Sequence, residues 1–231
     1  MLQIFRQKAE PNILPAVKAA LGVFCFVVTL TFNTQQSDAN YIPTTTLQQE
    51  RPTQVNLFGA NEERYTDLSA FTKWNGVLNR FKADLMSSLD QKPVQDWLVF
   101  LDTLKGQSKT QQIDAVNHYL NQIRFVSDNN NYGQNDYWAT PVEFLAKGGD
   151  CEDYAVAKYI SLRALGFSKD ELRLVIVNDK IMRAPHAMLA VYEDGKANIL
   201  DNQNPAVMNS AQITRYAPVY SISQASWWRH A

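Results

Sequence analysis

Three side chains in this chain are of the types that thiol chemistry requires, in a usable order: Cys151, His186 and Asp201. Cys151 lies in the run Gly148-Gly149-Asp150-Cys151-Glu152-Asp153-Tyr154-Ala155, where a glycine pair gives way to a helix-forming sequence. At the first turn of that helix, unpaired N–H groups and the helix dipole favour negative sulfur. The bland alternative is a small packed hydrophobe. A nucleophilic thiol also needs a base, and the base needs a group that orients it. Of the three histidines, His118 falls within a predicted helix and His230 is next to the last residue, whereas His186 follows Pro185 at the opening of an apolar strand. It is either the base or a satisfied histidine at a strand end. Asp201 closes the following strand, where antiparallel pairing sets its carboxylate beside the imidazole, and Asn202 is its rival for that role.

The cysteine's acidic neighbours oppose its ionisation, because Asp150, Glu152 and Asp153 add negative charge beside a thiol. One account is that acidic residues complement the positive end of the helix dipole. The other is a bound cation, toward which the helical rotation of about 100° per residue turns Glu152 and Asp153 away from the sulfur. With no second cysteine or histidine nearby, the favoured ion is calcium.

These residues need elements to hold them. Leu68, Phe71, Trp74, Leu78, Phe81, Leu85 and Leu89 recur at three- and four-residue intervals and predict one long amphipathic helix. A second helix follows Pro93, with Val94, Trp97, Leu98, Leu101 and Leu104 inward and Gly106 at its end. Ile113, Val116, Leu120 and Ile123 predict a third. Residues 127–136 read as a polar loop leading to Tyr137-Trp138, and the helix from Cys151 runs to about Leu165, with Gly166 as its stop. The period then changes. Leu172 to Val177, His186 to Tyr192 and Ala197 to Leu200 read as strands, with Asp194-Gly195 as a turn. Helices followed by an antiparallel sheet predict an α+β architecture.

The N-terminus sets the expected compartment. Arg6, Lys8 and Lys18 precede an uncharged apolar run from Ala19 to Phe32, the layout of a secretory signal. As a helix the run reaches about 21 Å, short of the roughly 30 Å hydrocarbon core, which disfavours a permanent span. Ser37 and Ala39 precede a cleavage point at Asn40, and Cys25 would leave with the signal. The expected organisation is a signal over 1–39, an irregular lead segment over 40–64 and one domain over 65–231. An exported chain with a single thiol relies on an apolar core rather than disulfides. A formal net charge of −1 gives no footprint for nucleic acid or an anionic membrane surface.

Phe125-Val126-Ser127-Asp128, Asp136-Tyr137-Trp138-Ala139-Thr140-Pro141, Gly149-Asp150-Cys151-Glu152-Asp153-Tyr154-Ala155, Leu162-Arg163-Ala164-Leu165-Gly166 and Leu200-Asp201-Asn202 together carry a resemblance. They closely resemble the bacterial transglutaminase-like cysteine proteinases of the LapG type, over roughly residues 65 to 205. The resemblance implies a papain/transglutaminase-like fold, with Cys151, His186 and Asp201 as the catalytic triad and calcium bound by Asp150, Glu152 and Asp153. It also implies a periplasmic endopeptidase that clips the N-terminal region of a large cell-surface adhesin and releases cells from a biofilm. Its implied regulator is an inner-membrane receptor that senses cyclic diguanylate and sequesters the protease. The Cys151 backbone N–H is one expected oxyanion donor, with Trp138 a candidate for the second. Two other readings use the same residues: acyl transfer to an amine, and a non-catalytic binding module. Trp74 and Trp97 read as core. Trp227-Trp228, outside the resemblance, either cover a sheet edge or dock a receptor.

Overall fold

The computed structural model describes residues 55–231; the signal segment and the cleavage point at Asn40 lie outside the described residues. Among the described residues no helix is long and apolar enough to cross a membrane. Six helices come first: α1 (Thr72–Ser87), α2 (Lys92–Thr103), α3 (Lys109–Asn121), α4 (Asp128–Tyr132), α5 (Pro141–Lys147) and α6 (Cys151–Ala164). A short strand, β1 (Glu62–Tyr65), precedes them, and six follow: β2 (Leu172–Asp179), β3 (Ala184–Glu193), β4 (Lys196–Leu200), β5 (Met208–Asn209), β6 (Tyr216–Ile222) and β7 (Trp227–His230). The strands form one sheet in the order β1-β7-β6-β2-β3-β4-β5, with every pair antiparallel.

The expected α+β architecture is observed, and the helices form where the apolar periodicity puts them, with instructive shifts. In α1 the buried face is Trp74, Val77, Phe81 and Leu85, so Val77 rather than Leu78 points inward. Leu68, Phe71 and Leu89 lie outside the helix, which begins only after Phe71 and ends at Ser87. Pro93 occupies the first turn of α2, where its missing N–H costs no hydrogen bond. Ser108 and Gln111 close a reciprocal capping box at the start of α3. The polar stretch 127–136 is not all loop. Ser127 opens the single helical turn α4, which ends at Gly133 in the left-handed conformation.

Helix α6 differs from the others in being buried on nearly every side, from Asp153 through Leu162. It packs on β2 and β3 on one side and on α3 and α5 on the other. The indole N–H of Trp97 in α2 donates to Ser161 Oγ at 3.0 Å, binding the helical layer to α6. At its end Phe167 N donates to Leu162 O (3.1 Å) and Gly166 N to Arg163 O (3.2 Å), with Gly166 at φ +102°. This is a Schellman stop that only glycine makes without strain. The strand β3 is buried from His186 to Val191 because both faces of the sheet are covered. Its far face packs Val175, Val177, Met188, Ala190 and Ile199 against Leu57. Each of these valine, leucine, isoleucine and methionine side chains taken from water contributes about 1.5–3 kcal/mol. Asp194 and Gly195, both at positive φ, make the tight β3–β4 turn.

Two expectations are corrected by the sheet. The irregular lead segment does not extend to residue 64, since β1 pairs with β7 and Leu57 is fully buried. Trp227-Trp228 neither cover an edge nor stand free to dock a receptor, because they form part of β7, between β1 and β6. Trp227 stacks on Tyr65 with centroids 4.5 Å apart, and the Arg173 guanidinium lies 3.5 Å from the centroid of buried Trp228. Cross-strand aromatic pairing of this kind is what makes so short a strand persist.

Candidate active site

Cys151 occupies the first position of α6, with Asp150 as N-cap. The turn before it is built by close backbone approach. Val126 N donates to Gly149 O at 2.9 Å, and Asn131 Nδ2 to Gly148 O at 3.0 Å. A Cβ on Gly149 would lie 2.7 Å from Asp153 Cβ and 2.8 Å from its Cγ, so the glycine is what lets the Asp153 carboxylate fold back on the helix start. There Asp153 accepts from Asp150 N (3.2 Å) and Ala139 N (2.6 Å), tying α6 to the segment before α5.

Half-buried Cys151 and buried His186 are both among the residues lining one cavity of about 570 Å³, whose walls include Phe71, Trp74, Trp138 and Tyr220. His186 Nε2 lies 2.8 Å from Asp201 Oδ1, both residues buried. The antiparallel register Leu189↔Leu200 explains the pairing, since continued by one residue it sets Asp201 opposite Met188, diagonal to His186. Asp201 is further fixed by Tyr216 Oη at 2.6 Å and by Gln203 N at 2.9 Å. Burial alone would raise its carboxyl pKa, but the hydrogen bonds and charge of His186, with Tyr216 and Gln203, hold it below the ordinary carboxylate range. Asp201, not Asn202, is the residue bonded to the imidazole, and Asn202 Oδ1 is buried without a hydrogen-bond partner. His118 is exposed on α3, and His230 in β7 bonds Ser221 Oγ at 3.0 Å, so neither enters the cavity.

The sulfur and the imidazole are not hydrogen-bonded to each other here. Cys151 Sγ donates to Glu152 Oε2 at 3.0 Å. Burial first, and then the Glu152 carboxylate, push the thiol pKa up, opposed by the Ala187 N–H. Trp138 lines the cavity as expected for an oxyanion donor, but its indole N–H is already given to Asp136 Oδ1 at 3.0 Å.

The acidic residues gather as the sequence suggested, with one addition. Asp150 and Asp153 meet Asp128 of α4, their oxygens lying within 4.8 Å of one another, whereas Glu152 groups with Asp150 and the thiol. Burial, followed by the Glu152 charge, raises the Asp150 pKa to about 7. Burial also raises Asp153 to about 8 against the pull of the Ala139 N–H. Asp128 Oδ1 and Asp150 Oδ1 are buried without partners. Crowded carboxylates with two unpartnered oxygens form an all-oxygen donor set for a hard cation. Asp128 was visible in the segment Phe125-Val126-Ser127-Asp128 and in a presumed loop, but with no ligand role attached to it. Tyr216 carried no signal at all, because β6 was not read.

A cysteine at a helix start, packed on an antiparallel sheet that carries a bonded His-Asp pair, defines an α+β thiol-hydrolase arrangement. The comparisons narrow it. Residues 100–230 match the family model for bacterial transglutaminase-like cysteine proteinases, and the chain belongs to that family. Among solved structures it is similar to calcium-bound LapG of Legionella pneumophila, with 31% identity and TM-score 0.56, covering 60% of this chain and 78% of that one. LapG of the same organism also matches at 28% identity and TM-score 0.58, covering 64% and 87%. Its EGTA-treated form matches at 28% and TM-score 0.58, covering 64% and 84%. No curated protein matches.

Proposed function

We propose that this chain is an exported, calcium-dependent cysteine endopeptidase that cuts the N-terminal region of a large cell-surface adhesin and so frees cells from a biofilm. The observation that carries the peptidase reading is the cavity that Cys151 and His186 share, with Asp201 bonded to the imidazole at 2.8 Å. With Nε2 engaged by Asp201, Nδ1 is the nitrogen that takes the thiol proton. The thiolate then adds to the scissile carbonyl, and the Cys151 N–H steadies the oxyanion. The proton passes from Nδ1 to the leaving amine as the C–N bond breaks, and water hydrolyses the thioester.

Asp150 and Asp153, with Asp128, are the residues that would hold calcium, and Glu152 borders them. Bound there, the ion supplies positive charge to a carboxylate cluster beside the thiol. The calcium-bound and EGTA-treated Legionella LapG structures support this reading. Export to the periplasm and sequestration by a cyclic-diguanylate receptor in the inner membrane complete the proposal, resting on the family resemblance and the N-terminal sequence.

The test incubates residues 40–231 with the N-terminal region of an adhesin from the same genome, with calcium or excess chelator, and with Cys151→Ala as control. Discrete cleavage that needs both Cys151 and calcium is expected. Cleavage indifferent to chelation returns the carboxylates to helix capping. Glutamine-to-amine crosslinking without cleavage would replace hydrolysis by acyl transfer.

A further inference from the structure

Beyond Asp201, a second residue touches the imidazole. Extending the β3–β4 register, Gln203 falls opposite His186, and its side-chain Nε2 lies 3.5 Å from His186 Nδ1. Its backbone N–H meanwhile donates to Asp201 Oδ1, so it contacts both members of the pair.

The orientation of this carboxamide is set by chemistry. Arg215 Nη2 donates to Gln203 Oε1 at 2.7 Å, and a guanidinium has donors only. The oxygen must therefore face Arg215, leaving the NH2 group to face His186. Arg215 is in turn anchored, its Nε donating to Asp179 Oδ2 at 2.9 Å. The other oxygen of Asp179 accepts from Ile181 N (2.9 Å) and Met182 N (3.1 Å), in the hairpin turn that delivers β3 and His186 to the cavity. Because an NH2 group cannot accept, the Nδ1 facing it must present its lone pair. The ring proton is then on Nε2, donated to Asp201.

We propose that Gln203 is a positioning residue for His186: clamped by Arg215, its carboxamide holds the imidazole with Nδ1 as the proton-accepting nitrogen. In the resting site it also caps that nitrogen, while the Cys151 thiol donates to Glu152 Oε2. The inference rests on the proposed peptidase mechanism, in which Nδ1 receives the proton of Cys151.

The experiment compares the wild-type protein with Gln203→Glu, which keeps the shape but offers Nδ1 an acceptor, and Gln203→Met, which offers neither. Nitrogen-15 NMR of the imidazole reads the tautomer without any substrate. Wild type should show the neutral ring protonated at Nε2. Gln203→Glu should shift protonation to Nδ1, where the new carboxylate offers an acceptor. The pH profile of Cys151 alkylation by iodoacetamide, an uncharged probe, should move to higher pH with it. Gln203→Met should lose the single tautomer while its thermal midpoint stays that of wild type. A wild-type tautomer and alkylation profile in both variants would overturn the clamp. If instead His186→Ala leaves the alkylation profile of the wild-type background unchanged, the thiol–imidazole mechanism fails, and the NMR tautomer still judges Gln203 independently.

Discussion

Asp201 is a carboxylate in a buried place, kept ionised by its neighbours, and each neighbour is a point of leverage. Tyr216→Phe removes the 2.6 Å donor to Asp201 Oδ2 and should lower cleavage about tenfold, the equivalent of about 1.4 kcal/mol, measured as kcat/KM on a peptide substrate. Lys158 offers a different test. It is fully buried on α6, its Nζ has no hydrogen-bond partner, and burial pulls its pKa down to about 7. The unfolded amine holds its proton to about pH 10.4, so between those values the unfolded chain binds the extra proton. This contribution to stability is therefore complete above pH 10.4 and is lost as pH falls through 7. Lys158→Met should raise the thermal midpoint at pH 6, by the equivalent of roughly 1–3 kcal/mol, and flatten the rise in stability between pH 7 and 10. Thermal melts across that range decide it. At this scale the sequence singled out Cys151 and His186 because thiols and imidazoles are few, and Asp201 by its place at the end of the next strand. Tyr216 and Gln203 act through neighbours distant in the chain, where a pairing partner has no signature of its own, and the burial of Lys158 comes from packing around α6 that the sequence does not mark.

At the scale of elements, α6 depends on the glycine before it more than on its own propensity. Gly149→Ala drives a Cβ into the Asp153 carboxylate that ties Asp150 and Ala139 together. The cost should be about 1–3 kcal/mol in urea unfolding, because a packed start must shift to admit it. If calcium binds here, its affinity should fall in the same variant. Helices α1 to α3 were legible because each has one apolar stripe or a capping signature, as in Trp74, Phe81 and Leu85 or Ser108 with Gln111, whereas the short α4 was read as loop. The strands β1, β6 and β7 were not legible. Tyr216-Ala217-Pro218-Val219 contains a proline and no clean alternation, and β1 reads Glu-Glu-Arg-Tyr, a solvated pattern. What makes them strands is pairing, which periodicity does not report.

For the whole molecule, the proposed ion links the cluster of α4 and α6 to global stability. A ligand that binds only the folded state stabilises it by mass action, about 2.7 kcal/mol at one hundred times its dissociation constant. Calcium should therefore raise the thermal midpoint, and Asp150→Asn should abolish the rise, as read by scanning calorimetry with and without chelator. Another property at this scale comes from the outermost pairing of the sheet. Asn61 and Ala231 exchange two backbone hydrogen bonds, Asn61 N to Ala231 O at 3.0 Å and Ala231 N to Asn61 O at 3.1 Å. Entry to and exit from the folded unit are thus neighbours on one rim, zipped by β1 and β7. The order of the chain is then separable from its architecture: joining residue 231 to residue 55 through a linker, so that Leu57 stays in the core, and reopening the polypeptide at Asp194-Gly195, should give a circular permutant with the same cavity.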